Sequence, residues 1–282
     1  MATTFTTPRR PLTWLITGCS SGLGLSLARL VQSQGHNLIA TSRNPPRTPG
    51  LVAEVEQAGG RWLALDVDDA DSEIDVLVNN AGYAVYAPAE SFAEDEVRAQ
   101  TETLYFGPYR LIRAVLPHMR RRRFGVVVNM SSGAALEGRD SMAVYAAAKA
   151  ALDGLSRVLA KEVAPFNIRV LTVQLGTFDT NIGNAAVLGR APLPEDYRGS
   201  VADQMMQLMA GGTFRGDGDK DKAARAVYEV VVGEGVGAGR EAERLLPLGR
   251  DLAARIRTVQ EYYAHSVEVF GDICNNVYRD AD

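Results

Sequence analysis

Tyr145 and Lys149 stand four residues apart, and Ser132 precedes Tyr145 by thirteen. On a helix, positions i and i+4 share one face. The set then offers a phenol, an ammonium and a hydroxyl for moving a proton to or from a substrate oxygen. A phenol ordinarily titrates far above neutral pH. A neighbouring ammonium favours its ionised form, and so would a positively charged ring held beside it. Tyr-x-x-x-Lys alone also describes the surface of any amphipathic helix. What singles it out here is Ser132 after an apolar run and a glycine-rich turn near the start of the chain.

That turn reads Thr17-Gly18-Cys19-Ser20-Ser21-Gly22-Leu23-Gly24. Glycine permits a tight turn and close approach of a pyrophosphate, and the helix that follows offers unpaired N–H groups and positive dipole character. Gly18, Ser20, Ser21, Gly22, Leu23 and Gly24 are therefore the candidate dinucleotide seat. A carboxylate at the end of the next strand ordinarily binds the adenine ribose hydroxyls. The sequence there is Thr41-Ser42-Arg43. A guanidinium suits a 2′-phosphate through charge-assisted bonds, so Ser42 and Arg43 favour NADP(H) over NAD(H).

The elements that must position these groups follow from apolar periodicity. Strands are predicted at residues 14–16, 37–41, 62–65, 74–78, 125–129 and 168–173. Helices are predicted at 23–34, 51–58, 92–120 and 143–164, with Gly35 as a C-terminal stop. Alternating strands and helices imply a Rossmann-type, doubly wound parallel α/β sheet in a single domain, covered on both faces. Residues 182–218 are expected to form a substrate lid containing a helix at 201–209. In it, Met205, Met206, Leu208 and Met209 line an adaptable apolar pocket or simply form helix core. Residues 219–282 form a C-terminal helical extension, with helices at 222–232 and 252–270 and an edge strand at 245–247.

The 282 residues are 46% hydrophobic and carry a net charge of −4. A sizeable core is available, and no overall basic bias points to nucleic acid or a membrane surface. Arg120 to Arg123 form one basic run, read as a solvated turn before a strand. Cys19 and Cys274 are far apart, and His36, His118 and His265 are isolated, so no disulfide framework or metal set is visible. The first ten residues lack the apolar core of a signal peptide, and no stretch approaches a membrane span. The expected setting is soluble, reducing and cytoplasmic.

From about residue 12 to 180 the chain resembles the short-chain dehydrogenase/reductase family. The resemblance rests on the glycine turn, Asp66-Val67, Asn79-Asn80-Ala81-Gly82, Ser132, Tyr145-x-x-x-Lys149 and Gly176-x-x-x-Thr180. The turn and the Ala40 to Arg43 stretch look like the NADP-preferring branch near retinol and 17β-hydroxysteroid dehydrogenases. The resemblance implies that Asp66 and Val67 face the adenine and that Asn80, Ala81 and Gly82 line the middle of the cofactor. It implies that Lys149 touches the nicotinamide ribose, and that Gly176, the backbone near Phe178, and Thr180 hold the carboxamide. It also implies a homodimer or homotetramer built on the helices at 92–120 and 143–164. Ala147, Ala151 and Gly154 give the second of these a small-residue face.

Three positions depart from the family. Leu104 replaces an Asn that helps hold a water for a proton relay. Leu175 replaces a proline before Gly176. Residues 67–73 form the whole link between the third and fourth strands. That link must span about 22 Å, against about 27 Å for fully extended chain, and it has no room for the usual helix. The expected activity is interconversion of a ketone or aldehyde with an alcohol on a small, fairly apolar substrate. Two alternatives remain open: a non-redox enzyme (epimerase, dehydratase or cyclase) using Tyr145 and Lys149, and a non-catalytic dinucleotide-binding regulator.

Overall fold

The computed structural model describes residues 5–64, 74–180, 187–212 and 214–279. The first βαβ unit sets the architecture. β1 (Thr13–Ile16) is almost wholly buried and runs into the glycine turn. α1 (Gly22–Ser33) follows, with Leu23, Leu27, Ala28 and Val31 at helical spacing on its buried face. It stops at Gly35, whose φ of 78° is the left-handed conformation that ends helices. β2 (Asn37–Ser42) returns parallel to β1, with Trp14 opposite Leu38. α2 (Pro49–Gln57) and β3 (Arg61–Ala64) complete this edge, and Trp62 Nε1 donates to Ser42 Oγ at 3.1 Å. Asp66, Val67 and the short link at 67–73 lie outside the described residues.

β4 (Val76–Asn79) pairs with the other side of β1. Next come the two-residue strand β5 (Val85–Tyr86), α3 (Glu94–Thr101) and α4 (Gly107–Arg122). One continuous helix was expected across residues 92–120. Instead a π-helical turn, Glu102–Phe106, separates α3 from α4, with the Gly107 N–H bonding the Glu102 carbonyl five residues back. Pro108, at the start of α4, has no N–H to offer the carbonyl of Leu104, although Pro117 is carried inside α4 without a break. The basic run is not a solvated turn. Arg120 to Arg122 close α4, where cations meet the negative end of the helix dipole, and Arg123 is its left-handed cap at φ 53°.

β6 (Gly125–Ser132), α5 (Ala134–Glu137), α6 (Ala143–Val163) and β7 (Ile168–Leu175) follow. β6 and β7 are each eight residues long and pair along their full length. The last segment holds β8 (Val187–Leu188), α7 (Val201–Ala210), α8 (Lys220–Val232), β9 (Leu245–Leu248) and α9 (Leu252–Asn275).

The central sheet has seven parallel strands in the order β3-β2-β1-β4-β6-β7-β9. Alternate residues of β1, β4 and β6 feed two cores. Trp14, Ile16, Val76, Val126 and Val128 pack with α1 and α8. Leu15, Leu77 and Val127 pack with α4 and α6 on the other face. The fold is the expected Rossmann-type single domain. The order reverses at β1 and β4, and ligands of such sheets bind at the strands' carboxyl ends beside that reversal. β5 and β8 pair with each other, apart from the main sheet.

Candidate active site

The carboxyl ends of β1, β4, β6 and β7 open into one cavity of about 570 Å³. It is lined by Gly18, Ser20, Ser21, Gly22, Leu23 and Gly24, by Ser42 and Arg43, and by Asn80, Ala81 and Gly82. Ser132, Tyr145, Lys149, Gly176, Phe178 and Thr180 line it as well. Every candidate site residue within the described part of the chain therefore meets the same space.

The glycine turn is held open by its neighbours. Gly18 has φ 75°, and a Cβ there would lie 2.8 Å from Ala81 Cα. A Cβ on Gly24 would strike the Asn80 side chain and the Gly18 carbonyl. Asn80 joins the two strand ends. Its Nδ2 donates to the Thr17 carbonyl at 2.8 Å, and its N–H and that of Ala81 both reach Thr17 Oγ1 at 2.9 Å. Gly18 and Gly24 are thus required by close packing against Asn80 and Ala81, and residues Ser20 to Gly24, which open α1, line the cavity. These observations fit the pyrophosphate of a dinucleotide. Arg43 is exposed, with its guanidinium 5.6 Å from the Tyr83 ring centroid and no ion pair among the described residues.

At the other end, α6 presents Tyr145 and Lys149 on its buried face. Lys149 Nζ donates to the Met130 carbonyl at 2.5 Å. Burial pulls its pKa down to about 8, against the opposing pull of Asp153 one turn further along the helix. Burial pushes the Tyr145 phenol up to about 12, and a hydrogen bond with Ser132 works the other way. Ser132 and Tyr145 face the same cavity. Gly82 lies between Leu104 and Lys149: a Cβ on it would sit 3.1 Å from Leu104 Cδ2 and 4.0 Å from Lys149 Nζ. Leu104 is fully buried in the apolar cluster that contains Tyr145, Ala84, Tyr86 and Met142. It brings a hydrocarbon where the resemblance implied a polar amide.

Met205 and Met209 reach the cavity and Met206 is buried, whereas Leu208 is 43% exposed and faces away. Leu208 is two residues from Met206, so it points to the opposite side of α7. Sequence reasoning also missed Asp251 and Arg255. Arg255 lines the cavity, and Asp251 accepts hydrogen bonds from Thr177. No local spacing announces a contact across 74 residues. Among the described residues, no cluster of His, Cys, Asp or Glu could hold a metal ion, and no helix is long and apolar enough to cross a membrane.

A parallel sheet with this strand order, a glycine-lined cradle at its reversal and a Ser–Tyr–Lys set on one cavity define a class. The sequence pattern of the short chain dehydrogenase family matches residues 13–190, and the chain belongs to that family. Among its relatives, "Oxidoreductase claN" of Passalora fulva is 39% identical over 211 residues, covering 71% of this chain and 96% of the relative. A 3-ketodihydrosphingosine reductase of Bacteroides thetaiotaomicron is 37% identical, covering 68% of this chain and 73% of that protein. A short-chain dehydrogenase structure from Streptomyces avermitilis superposes with a TM-score of 0.81 at 31% identity, covering 96% of this chain and all of the other.

Proposed function

We propose that this protein is an NADP(H)-dependent oxidoreductase that interconverts a ketone or aldehyde with an alcohol on a small, fairly apolar substrate. The observation that carries this reading is the position of Tyr145. It lines, with Ser132 and Lys149, the same cavity as the glycine cradle. Near it the cavity is lined by Tyr86, Met142, Met205, Met209 and Phe214. In this reading the amides opening α1 bind the pyrophosphate, and Ser42 and Arg43 bind the 2′-phosphate. Asp66 and Val67 face the adenine, while Asn80, Ala81 and Gly82 line the cofactor's middle. Lys149 hydrogen-bonds the nicotinamide ribose, and Gly176, Phe178 and Thr180 hold the carboxamide. The cofactor, when bound, supplies or accepts the hydride. Tyr145 donates a proton to the substrate oxygen in reduction and removes it in oxidation, and Ser132 steadies the same oxygen. Residues 182–218 form the lid over the substrate, and 219–282 the C-terminal extension. The relatives' printed activities, a 3-keto reductase and an oxidoreductase, agree with carbonyl chemistry.

The test is anaerobic turnover of NADPH with a panel of apolar ketones and aldehydes, followed by the absorbance of the reduced nicotinamide. Consumption of NADPH matched by alcohol supports the reading. Product formed without cofactor oxidation points to acid–base chemistry alone, since a fold does not fix a reaction. Cofactor binding without product across the panel points to a regulator.

A further inference from the structure

The strand ends around the proposed nicotinamide site are tied together by two charged side chains from the C-terminal extension. Asp251, just before α9, accepts from the Thr177 N–H at 3.2 and 3.1 Å and from Thr177 Oγ1 at 3.0 Å. Gly176 cannot carry a side chain, because its Cβ would collide with the Asp251 carboxylate. Gly249, at φ 118°, is also tight, with a Cβ placed 2.8 Å from Asp251 Oδ1. The carboxylate is thus seated in a pocket made by two glycines. Partial burial pushes its pKa up, but hydrogen bonds from Thr177 and Arg255 outweigh that and hold the carboxyl below its usual range.

Arg255, one turn into α9, continues the chain of contacts. Its Nη1 donates to Asp251 Oδ2 at 3.2 Å, and its Nε lies 2.6 Å from Glu137 Oε1 on α5. The guanidinium covers Gly133, the residue after Ser132: a Cβ on Gly133 would sit 2.6 Å from Arg255 Cζ. Two backbone bonds complete the frame, from the Gly133 N–H to the Leu175 carbonyl at 2.9 Å and from the Gly176 N–H to the Leu248 carbonyl at 2.8 Å. The ends of β6, β7 and β9 therefore share one carboxylate and one guanidinium. Leu175 leaves this turn without the fixed φ of a proline, and the Asp251 carboxylate supplies a constraint in its place.

We propose that Asp251, braced by Arg255, is a positioning residue that fixes the turn at 176–178 and so sets the nicotinamide end of the cofactor against Tyr145 and Ser132. It rests on the reading of a bound dinucleotide given above. It assigns the C-terminal extension a part in cofactor geometry, and it makes Asp251 act on one half of the cofactor only.

The test compares whole cofactor with its adenine half. Titration calorimetry gives dissociation constants for NADPH and 2′,5′-ADP, with NADH and 5′-ADP as a parallel pair, in wild type, Asp251→Ala and Asp251→Asn. For Asp251→Ala, loss of the charge-assisted bonds should weaken the whole cofactor about tenfold or more and leave its adenine half within about twofold. Asp251→Asn keeps an acceptor for Thr177 and should fall between wild type and Asp251→Ala, which provides a reading even where the alanine variant folds poorly. Equal weakening of whole and half cofactor shows general damage and overturns the proposal. Unchanged binding of both in both variants overturns it too. Wild type that binds neither pair defeats the functional reading, and this proposal with it.

Discussion

The ammonium of Lys149 lies 5.9 Å from the centroid of the Tyr145 ring, over its face, while its proton goes to the Met130 carbonyl at 2.5 Å. The two groups are thus neighbours through the ring face rather than through a direct bond. Tyr145 and Ser132 line the same cavity.

Removing that hydroxyl should stop the reaction without emptying the site. Tyr145→Phe is expected to lower kcat at least about a hundredfold with NADPH binding retained. A variant within a few fold of wild type would remove Tyr145 from the mechanism.

Arg43 should govern coenzyme choice. It is exposed and stacks on Tyr83 without an ion pair among the described residues, so its charge is available to a phosphate. Arg43→Asp is expected to shift the ratio of NADPH to NADH dissociation constants toward NADH by at least about tenfold. An unchanged ratio would mark Arg43 as a surface residue.

Lys149 should reduce stability near neutral pH. Its pKa falls from 10.5 when unfolded to about 8 when folded, so the unfolded chain holds the proton more tightly between these values. Stability linked to this group is therefore present above the unfolded pKa and lost as pH falls through about 8. Relative to Lys149→Met, wild type should gain about 2–3 kcal/mol between pH of about 7.5 and 10. Urea titrations of both proteins across that range measure it, and parallel pH curves would contradict the shift.

Asp75 should be a structural hinge of the sheet. It is fully buried, accepts from Arg10 at 2.7 and 2.9 Å and from the Thr13 N–H at 3.0 Å, and has Arg122 3.6 Å away. Asp75→Ala removes the acceptor of these donors; with Arg10 45% exposed, the expected cost is about 1–2 kcal/mol, read as a lower urea midpoint. A loss below about 1 kcal/mol would show that water replaces the carboxylate.

The chain should assemble as a dimer or larger. Ala147 and Ala151 are exposed on α6, nothing lies within 4 Å of a Cβ built on Gly154, and Phe106 of the π turn, Tyr109 of α4 and Val158 of α6 are exposed. Sedimentation at micromolar concentration should show no major monomer. A single monomeric boundary would refute the assembly.

The strands were legible because buried parallel strands read as short apolar runs, as in Val126-Val127-Val128. The glycine turn and Tyr145–Lys149 were legible because their chemistry depends on local spacing. β5 and β8 were not, since two residues carry no period. The π turn at Glu102–Phe106 was hidden because apolar periodicity runs through it and only Pro108 hints at a break. Asp251 and Arg255 act through contacts with residues far away in sequence, and Leu208 was misplaced because composition does not say which face of α7 a residue occupies.

The π turn has a consequence for how this helix tolerates change in length. It behaves as one extra residue let into an otherwise regular screw, and it sets the rotation of α3 relative to α4. Gln100, at the end of α3, is fully buried and donates to the Tyr83 carbonyl at 3.1 Å. Five residues in the π turn rotate the chain about as far as four in an α-helix, so loss of one residue there is absorbed, whereas inserting a residue, with no second bulge to take it up, would turn α3 by about 100° around its axis. Gln100 would leave Tyr83, and the wall beside Arg43 would lose its support. At this point the chain counts residues like teeth on a gear with one spare: a lost tooth closes the gap, while an added one changes which teeth mesh.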